Sequence, residues 1–275
     1  MTDASPIPGL IRDLEAERTA LISFLDAQPT EVWQRSTPAQ GWTVHDQIAH
    51  LAHFDEVTRM CIAEPEAFEH FRDAMDDLQT YVDSVGTRFA HLGPDGMSAW
   101  WTEAGEALSV AATAADPARR VPWFGPPMSL ASKLTARIME TWAHGQDVYD
   151  AVGAQREPTE RLRHIARIGV LAFPNSFRTR GLPVPSTPVR VDLEAPDGSR
   201  WAWGDPDATD VVSGPAEDFC LVVTQRRHIA DVELKPDGVV AQTWMEIAQA
   251  FAGPAGSGRA PGQFAPGWVA AMGTR

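Results

Sequence analysis

The sequence predicts an α+β protein, with a four-helix bundle first and a smaller α+β unit after it. Apolar residues recur at helical spacing up to about residue 155, whereas alternating strand patterns and turn signals begin only beyond that point. A chain of 275 residues is long enough for two units that each bury a core. We therefore expect a bundle domain at residues 1–155 and an α+β domain with an irregular tail at residues 156–275.

The helices of the first unit are predicted from apolar spacing and from capping residues. Thr43 and Ser129 are expected to be N-caps, because their hydroxyls can accept hydrogen bonds from the first free N–H groups of a helix. Long helices joined by short connections are typical of a bundle. The predicted helical segments of this unit are residues 8–28, 44–61, 66–92, 95–114 and 130–152.

The second unit mixes helix and strand signals. Residues 189–194 alternate in polarity, and Asp197-Gly198 is a turn signal before Trp201-Ala202-Trp203, so a β-hairpin is expected there. A third strand is predicted at 210–214, and a Pro-rich linker at 174–188. Helices are predicted at 159–173, 215–226 and 239–252, with an irregular tail after Gly253.

The charge and the cysteine content narrow the range of functions. A formal net charge of −14 and a pI near 4.9 disfavour binding to nucleic acid or to an anionic membrane surface. No apolar run reaches the ~18 residues of a membrane span, and no signal peptide is visible at the N-terminus. The two cysteines, Cys61 and Cys220, argue against a disulfide framework. We expect a cytoplasmic protein, and a homodimer through an apolar helix face remains open.

A carboxylate and an imidazole four residues apart carry the strongest chemical signal. Glu140 and His144 project from the same face of a predicted helix, about 6 Å apart along its axis. Such a pair alone is more often part of a solvated face. Here the surrounding residues are apolar, and His50 lies in a similarly apolar helix that could bring it opposite the pair. Two imidazoles and one carboxylate suit a divalent ion such as zinc, with one coordination position open.

Other residues near this pair leave alternatives open. His53 could share the face of His50, whereas His45 lies in the first turn, where a capping role is simpler. Asp147 could accept a hydrogen bond from a ligand, but an ordinary surface carboxylate is the preferred interpretation. Trp42 is interpreted as a hydrophobic staple. Trp123, in an aromatic and Pro-rich loop, is a candidate for lining a cofactor pocket.

Two runs of this sequence carry a family resemblance. The residues from Gly41 to Leu51 and from Arg137 to Val148 resemble the mycothiol-dependent maleylpyruvate isomerase family, which belongs to the wider DinB-like metal-binding bundles. The resemblance covers residues 8–153 as the bundle. A looser likeness to the family's sterol-carrier-like C-terminal domain covers residues 185–252.

The resemblance implies particular roles for particular residues. It makes His50, Glu140 and His144 the metal ligands, with zinc as the metal and mycothiol as a thiol cosubstrate. The family also uses an arginine of its C-terminal domain near the active site, and the run that begins at Leu221 points to Arg226 for that role. This sequence has Gln225 where a glycine is common, so Arg227 is the alternative, one position later.

The chemistry of such a site can be argued independently. A thiol bound to the metal would be available as thiolate near neutral pH, and its addition to an activated double bond allows rotation and elimination. The leading hypothesis is therefore an isomerase or S-transferase that acts on a small electrophilic molecule. Three alternatives remain: a hydrolase that uses metal-bound water, a metal-stabilised binding protein without catalysis, and a purely structural bundle in which Glu140 and His144 pair with each other.

Overall fold

The computed structural model describes residues 5–264 of this chain. Those residues divide into two compact units, with the boundary between Gln155 and Arg156. The first unit is helical apart from one short hairpin, and the second contains a four-stranded sheet with helices. The predicted α+β class is therefore confirmed. None of the helices within the described residues is long and apolar enough to cross a membrane.

The first unit is built on four long helices and two short ones. Its strands, β1 and β2, form a two-residue antiparallel hairpin that precedes the last helix. A 3-10 helix at Thr30–Gln34 connects the first two helices. The helices are α1 (Ile7–Asp26), α2 (Val44–Ala63), α3 (Pro65–Asp73), α4 (Leu78–Arg88), α5 (Pro94–Ala114) and α6 (Leu130–Val152), and the strands are β1 (Arg120–Val121) and β2 (Met128–Ser129).

Both predicted N-caps of this unit are confirmed. The Thr43 side chain accepts a hydrogen bond from the Asp46 N–H, and Asp46 bonds the Thr43 N–H in return, which completes a capping box at the start of α2. The Ser129 side chain accepts from the Ser132 N–H at the start of α6. Helix α6 ends at Val152, and the capping residue Gly153 has a φ of 68°, which favours glycine.

The predicted helix at 66–92 is wrong, because two helices occupy this segment. Helix α3 ends at Asp73 and α4 begins at Leu78. Asp77 caps α4 by accepting a hydrogen bond from the Thr80 N–H, and its backbone is extended. A side chain that caps a new helix competes with continuation of the preceding one, and the apolar spacing alone did not reveal this break.

The core of the first unit lies where α2 packs against α5 and α6. Helix α1 covers α5 and α6 from the other side. The central helix α2 is buried around most of its circumference, because neighbouring helices enclose it. Its polar side chains are therefore buried as well, among them three of the chain's eight histidines, His45, His50 and His53.

The second unit has a sheet with the strand order β4-β3-β5-β6, in which only the β3–β5 pair is parallel. The predicted hairpin is confirmed by the antiparallel pairing of β3 with β4. A 3-10 helix covers Ile229–Asp231. The strands are β3 (Val189–Glu194), β4 (Arg200–Trp203), β5 (Asp210–Pro215) and β6 (Lys235–Asp237), and the helices are α7 (Leu162–Leu171), α8 (Phe173–Thr179), α9 (Ala216–Val223) and α10 (Val239–Ile247).

The structure of this unit differs from the sequence-based expectation in three places. The first part of the predicted linker is helix α8, since Pro174 lies in the first turn of the helix, where its missing N–H costs nothing. Strand β6 was not predicted, because three residues that include a proline give no alternating pattern. Helix α10 ends at Ile247, before the predicted residue 252. The predicted irregular tail has no helix or strand up to Phe264, and its residues 265–275 lie outside the described residues.

Candidate metal centre

The structure brings His50, Glu140 and His144 together inside the first unit. His50 lies on α2, and the other two lie one turn apart on α6, which packs against α2. The Oε2 atom of Glu140 is 3.3 Å from Nε2 of His144 and 3.9 Å from Nε2 of His50. One ligand atom from each of the three side chains lies within 4.8 Å of the others. The geometry is therefore that of a possible three-ligand site.

The protonation states of His50 and Glu140 suit metal binding. Burial, reinforced by the neighbouring His144, lowers the pKa of His50 to about 3, so its imidazole is neutral and can donate a lone pair. Burial alone would raise the pKa of Glu140. The interactions with His144 and His50 outweigh that effect and hold the pKa of Glu140 well below its usual range. The cluster thus offers neutral nitrogen and charged oxygen.

His50 lacks hydrogen bonds that a buried imidazole normally has. Within residues 5–264, its buried Nδ1 atom has no hydrogen-bond partner. Its Nε2 atom approaches Glu140 only to 3.9 Å, which is beyond hydrogen-bonding distance. A buried polar atom without a partner costs free energy, so each one calls for an explanation. A cation bound at Nε2, the nitrogen that faces Glu140, would give that atom a partner.

A second layer of side chains fixes the orientation of His144. Its Nδ1–H donates to Oε1 of Gln47, which is fully buried on α2. The Gln47 amide donates to Oγ1 of Thr37 at 2.9 Å, and that hydroxyl donates to the Trp42 carbonyl at 2.9 Å. This chain of bonds holds the proton on Nδ1 and leaves Nε2 as a lone-pair donor beside Glu140. Gln47 was not predicted as a site residue from the sequence, although Gln47 lies three residues before His50 on the same helix.

Trp42 also belongs to this site, and its interpretation as a hydrophobic staple is wrong. Its ring stacks on the His144 ring, with centroids 5.7 Å apart and planes 15° apart. It also lies 5.3 Å from the His50 ring. The indole therefore covers both candidate imidazole ligands. A cavity of about 360 Å³ adjoins it, lined by residues of the loop before α2 and of α4.

The other histidines that were candidates for the third ligand, His45 and His53, bind other partners. The His45 ring bonds the Leu92 carbonyl, and Nε2 of His53 lies 2.7 Å from the Tyr81 hydroxyl. Neither belongs to the cluster with Glu140 and His144. The preferred interpretation of Asp147 as a surface carboxylate is wrong, because Asp147 is fully buried.

Trp123 lies in the β1–β2 loop and is part of an aromatic group in the first unit. Its ring is parallel to that of Phe68 at 6.0 Å and meets Phe54 edge-on at 6.3 Å. The Nζ atom of Lys133 lies 3.0 Å from its ring centroid. No ligand role follows from these contacts alone, so the pocket role of Trp123 stays a prediction.

Arg226 and Arg227 lie in the second unit, directly after α9. Gln225 has a φ of 60°, in the left-handed region, which explains why a glycine is common at this position of the family. The Arg226 guanidinium donates to the Thr224 carbonyl at 2.7 Å. The Arg227 guanidinium stacks over the Phe264 ring at 4.2 Å. The Arg226 side chain therefore binds the end of α9, whereas Arg227 packs on an aromatic ring, and the catalytic roles of both stay predictions.

The family model for the mycothiol maleylpyruvate isomerase N-terminal domain matches residues 14–149, which include His50, Glu140 and His144. The first unit of this chain belongs to the mycothiol maleylpyruvate isomerase N-terminal domain family.

Solved structures and curated sequences give further proteins that this chain resembles. Crystal structures of the mycothiol-dependent maleylpyruvate isomerase and of a histidine-to-alanine mutant share the fold, with TM-scores of 0.55 and 0.54. They are 18% and 17% identical to this chain and cover 81% of it and 90% of their own length. Two uncharacterized proteins of Mycobacterium tuberculosis, strains CDC 1551 / Oshkosh and H37Rv, are each 41% identical over 260 residues. These alignments cover 94% of this chain and 100% of each relative.

Proposed function

We propose that this protein is a metal-dependent enzyme that activates mycothiol, a low-molecular-weight thiol, for reaction with an electrophilic small molecule. The reaction is either cis–trans isomerisation or transfer of the thiol onto the electrophile. The convergence of His50, Glu140 and His144, with His144 oriented by Gln47, is the observation that carries the proposal. Membership of the maleylpyruvate isomerase family supports the thiol and the isomerase chemistry.

The three side chains fit a zinc ion in number and chemical type. Two neutral imidazoles and one carboxylate are a common catalytic zinc set, which leaves a position for an exogenous ligand. A bound zinc ion would lower the pKa of a coordinated thiol and so supply thiolate near neutral pH. Gln47 would hold the His144 tautomer that such binding needs, and Trp42 would restrict both imidazole rings.

The reacting thiol must come from outside the chain. Cys61 is buried, and burial raises the pKa of its thiol to about 12. Cys220 is also fully buried, and burial raises the pKa of its thiol well above the usual value. Neither is a nucleophile at neutral pH, because the reactive species is the thiolate. An external thiol is therefore required for the proposed reaction.

The electrophile would be bound partly by an arginine. A guanidinium can hold a carboxylate with two parallel hydrogen bonds and stabilise negative charge that develops on the substrate. Arg226 is the residue that the family resemblance favours for this role. Addition of the thiol to a conjugated double bond leaves a single bond that can rotate, and elimination restores the double bond and releases the thiol.

Metal content tests the proposed ligands directly. Inductively coupled plasma mass spectrometry of protein purified without a chelating resin should find about one zinc ion per chain. His50→Ala, Glu140→Gln and His144→Ala should each lose it, because three protein ligands are needed to hold the ion. The exposed His70 on α3 gives a matched control, and His70→Ala should retain the metal. Helical circular dichroism should be unchanged in all four variants.

Thiol dependence tests the reaction. Consumption of an activated cis double bond, followed by its ultraviolet absorbance, should require added mycothiol and should stop in His144→Ala. Arg226→Ala should keep the metal and lose turnover. If Arg227→Ala loses turnover instead, the arginine assignment is wrong by one position. Equal rates with and without a thiol, or zinc retained by all three ligand variants, would refute the proposal.

A further inference from the structure

Lys133 is an unusual buried cation. The chain has only two lysines, Lys133 and Lys235, and uses arginine at all its other cationic side chains apart from histidine. Lys133 lies on α6 and is 1% exposed, whereas Lys235 is exposed on β6. Lysine is almost never fully buried unless its amine is paired. The burial of one lysine out of two therefore needs a reason.

Within residues 5–264, no carboxylate contacts the Lys133 amine directly, although Cys61 and Glu140 act on it electrostatically. The Nζ atom lies over the face of the Trp123 ring, 3.0 Å from its centroid. No hydrogen bond or ion pair to this amine is found within residues 5–264. A contact with an aromatic face stabilises a cation but accepts none of its three N–H groups in the usual geometry. The amine can therefore still bind an acceptor.

Arg137, one turn further along α6, shows what a structural buried cation looks like in this bundle. Its guanidinium donates to Oδ1 of Asp55 at 3.0 Å and to the Leu51 carbonyl at 3.1 Å. Both Arg137 and Asp55 are almost completely buried, and each neutralises the other. Lys133 has the burial of Arg137 without the carboxylate. A purely structural role would predict a partner of this kind.

Lys133 lies on the same face of α6 as the candidate metal ligands. Residues 133, 137, 140 and 144 are spaced by four, three and four positions, so they follow one stripe of the helix. Lys133 and Glu140 are seven positions apart, which corresponds to about 10 Å along the axis. The separation between the amine and the cluster is therefore about the length of a small molecule.

A series of ring contacts connects the candidate metal ligands with the surroundings of Lys133. The His50 ring lies 4.6 Å from the Phe54 ring, and the Phe54 ring lies 6.3 Å from that of Trp123. The centroid of the Phe124 ring lies 5.0 Å from that of the Trp123 ring. These rings are apolar and flat, and such surfaces suit the unsaturated body of a conjugated acid better than a hydrated phosphate or a sugar.

The choice of lysine over arginine suits a site that alternates between empty and occupied. Burial, with a smaller contribution from Arg137, lowers the pKa of Lys133 to about 6 against the opposing effects of Cys61 and Glu140, so without a ligand the amine can release its proton. An arginine would stay charged in the same place. When a carboxylate arrives beside the amine, the opposite charge favours the protonated form, and a proton is taken up with the ligand.

We propose that Lys133 and Trp123 form a subsite within the bundle that binds the carboxylate of a small unsaturated acid, whose reactive carbon lies at the cluster of His50, Glu140 and His144. This inference rests on the proposed function for the role of the cluster. The binding of the carboxylate by Lys133 itself can be tested without turnover.

Calorimetric titration with succinate, a dicarboxylate that cannot add a thiol, tests the subsite. At pH 7.5, the wild type should bind succinate with proton uptake, seen as different heats in HEPES and Tris. Lys133→Met keeps the volume of the side chain and should weaken binding about tenfold or more, because a charge-assisted bond is lost. It should also abolish the proton uptake. Lys235→Met and the neutral ligand succinamide are the matched controls.

A measurement on the wild type guards against a folding defect in the variant. Reductive methylation followed by peptide mass analysis should show that succinate protects Lys133 and leaves Lys235 unprotected. Unchanged methylation of Lys133, or equal succinate affinity in Lys133→Met, would overturn the subsite. Zinc content and thiol dependence are measured separately. Selective protection of Lys133 in a protein without thiol dependence would keep the subsite and reject the proposed reaction.

Discussion

The two units of this protein bury polar side chains in different ways. In the first unit, buried polar groups bind one another across helices: Asp55 accepts from Arg137 and from the Trp101 indole, and Gln47 joins His144 to Thr37. The members of these networks come from different helices or from the loop before α2. Their geometry therefore depends on how the helices pack.

In the second unit, buried polar side chains mostly bind the backbone. Asp210 accepts from the Val240 and Ala241 N–H groups at the start of α10. Asp231 accepts from the Gly262 and Phe264 N–H groups. Such bonds satisfy helix and loop ends, which any fold must do. The difference shows that the first unit holds side chains in orientations that the fold alone does not require, as a functional site does.

Asp55→Ala should give the largest loss of stability, because it breaks the network at its centre. The substitution leaves the buried Arg137 charge uncompensated and removes the acceptor of the Trp101 indole. Loss of one partner from a buried ion pair costs about 3–5 kcal/mol. Urea unfolding followed by far-ultraviolet circular dichroism measures the change, and Asp76→Ala, at an exposed carboxylate between α3 and α4, is the control. A loss below about 1 kcal/mol, the scale of an exposed pair, would show that water reaches Arg137.

Gln47→Leu should weaken metal binding more than it weakens the fold. The variant keeps a similar volume but removes the acceptor that orients His144. Second-layer changes of this kind reduce metal affinity by about 10–100-fold. Competition with a zinc-binding dye measures it. Gln47→Glu should recover part of the affinity, since a carboxylate also accepts the Nδ1–H bond, and the exposed Gln79→Leu should change nothing. Equal zinc affinity in Gln47→Leu would mean that Gln47 only fills space.

Asp210→Ala should have a smaller and more local effect in the second unit. It removes the acceptor of two N–H groups at the start of α10, at a cost of about 1.5 kcal/mol. Amide hydrogen exchange should therefore speed up in α10, while the helices of the first unit keep their protection. Asp207→Ala, three residues earlier and exposed, serves as the control. Faster exchange in both units would contradict the local role of Asp210.

Substitutions of Gln225 should have the smallest effect on stability. The informative comparison is between the glycine variant and the alanine variant. Both Gln225→Gly and Gln225→Ala lose the hydrogen bond to the Ala248 carbonyl. Only the glycine variant is free of strain at a φ of 60°, so it should be more stable than the alanine variant by about 1 kcal/mol. Paired thermal unfolding curves measure this difference. An alanine variant as stable as the glycine variant would show that the backbone at this position relaxes.

Local signals predicted much of the fold. The Thr43 and Ser129 caps and the turn at Asp197-Gly198 depend on residues a few positions apart, and each was found where the sequence placed it. The break between α3 and α4 and the helix within residues 174–188 were missed. In both places a local cap, or a proline tolerated in a first turn, mattered more than the apolar spacing or the proline content.

The candidate site was predicted only in part, for a physical reason. The spacing of Glu140 and His144 on one helix is a property of the chain, and so is the apolar setting of His50. Gln47 and Trp42 could not be assigned in this way, since their roles depend on contacts with His144, about a hundred residues away. Asp147 was placed at the surface because a carboxylate is usually exposed, whereas the packing around α6 buries it.

The sequence by itself determined the α+β class, the helix that carries Glu140 and His144, and the family to which the chain belongs. These depend on periodicity, capping and short motifs, which are set by neighbouring residues. The tertiary structure decided which histidine joins that pair, which side chain orients it and which buried lysine lacks a carboxylate partner among the described residues. Those features depend on how α2, α6 and the β1–β2 loop pack, because side chains distant in sequence meet only when the core excludes water between them.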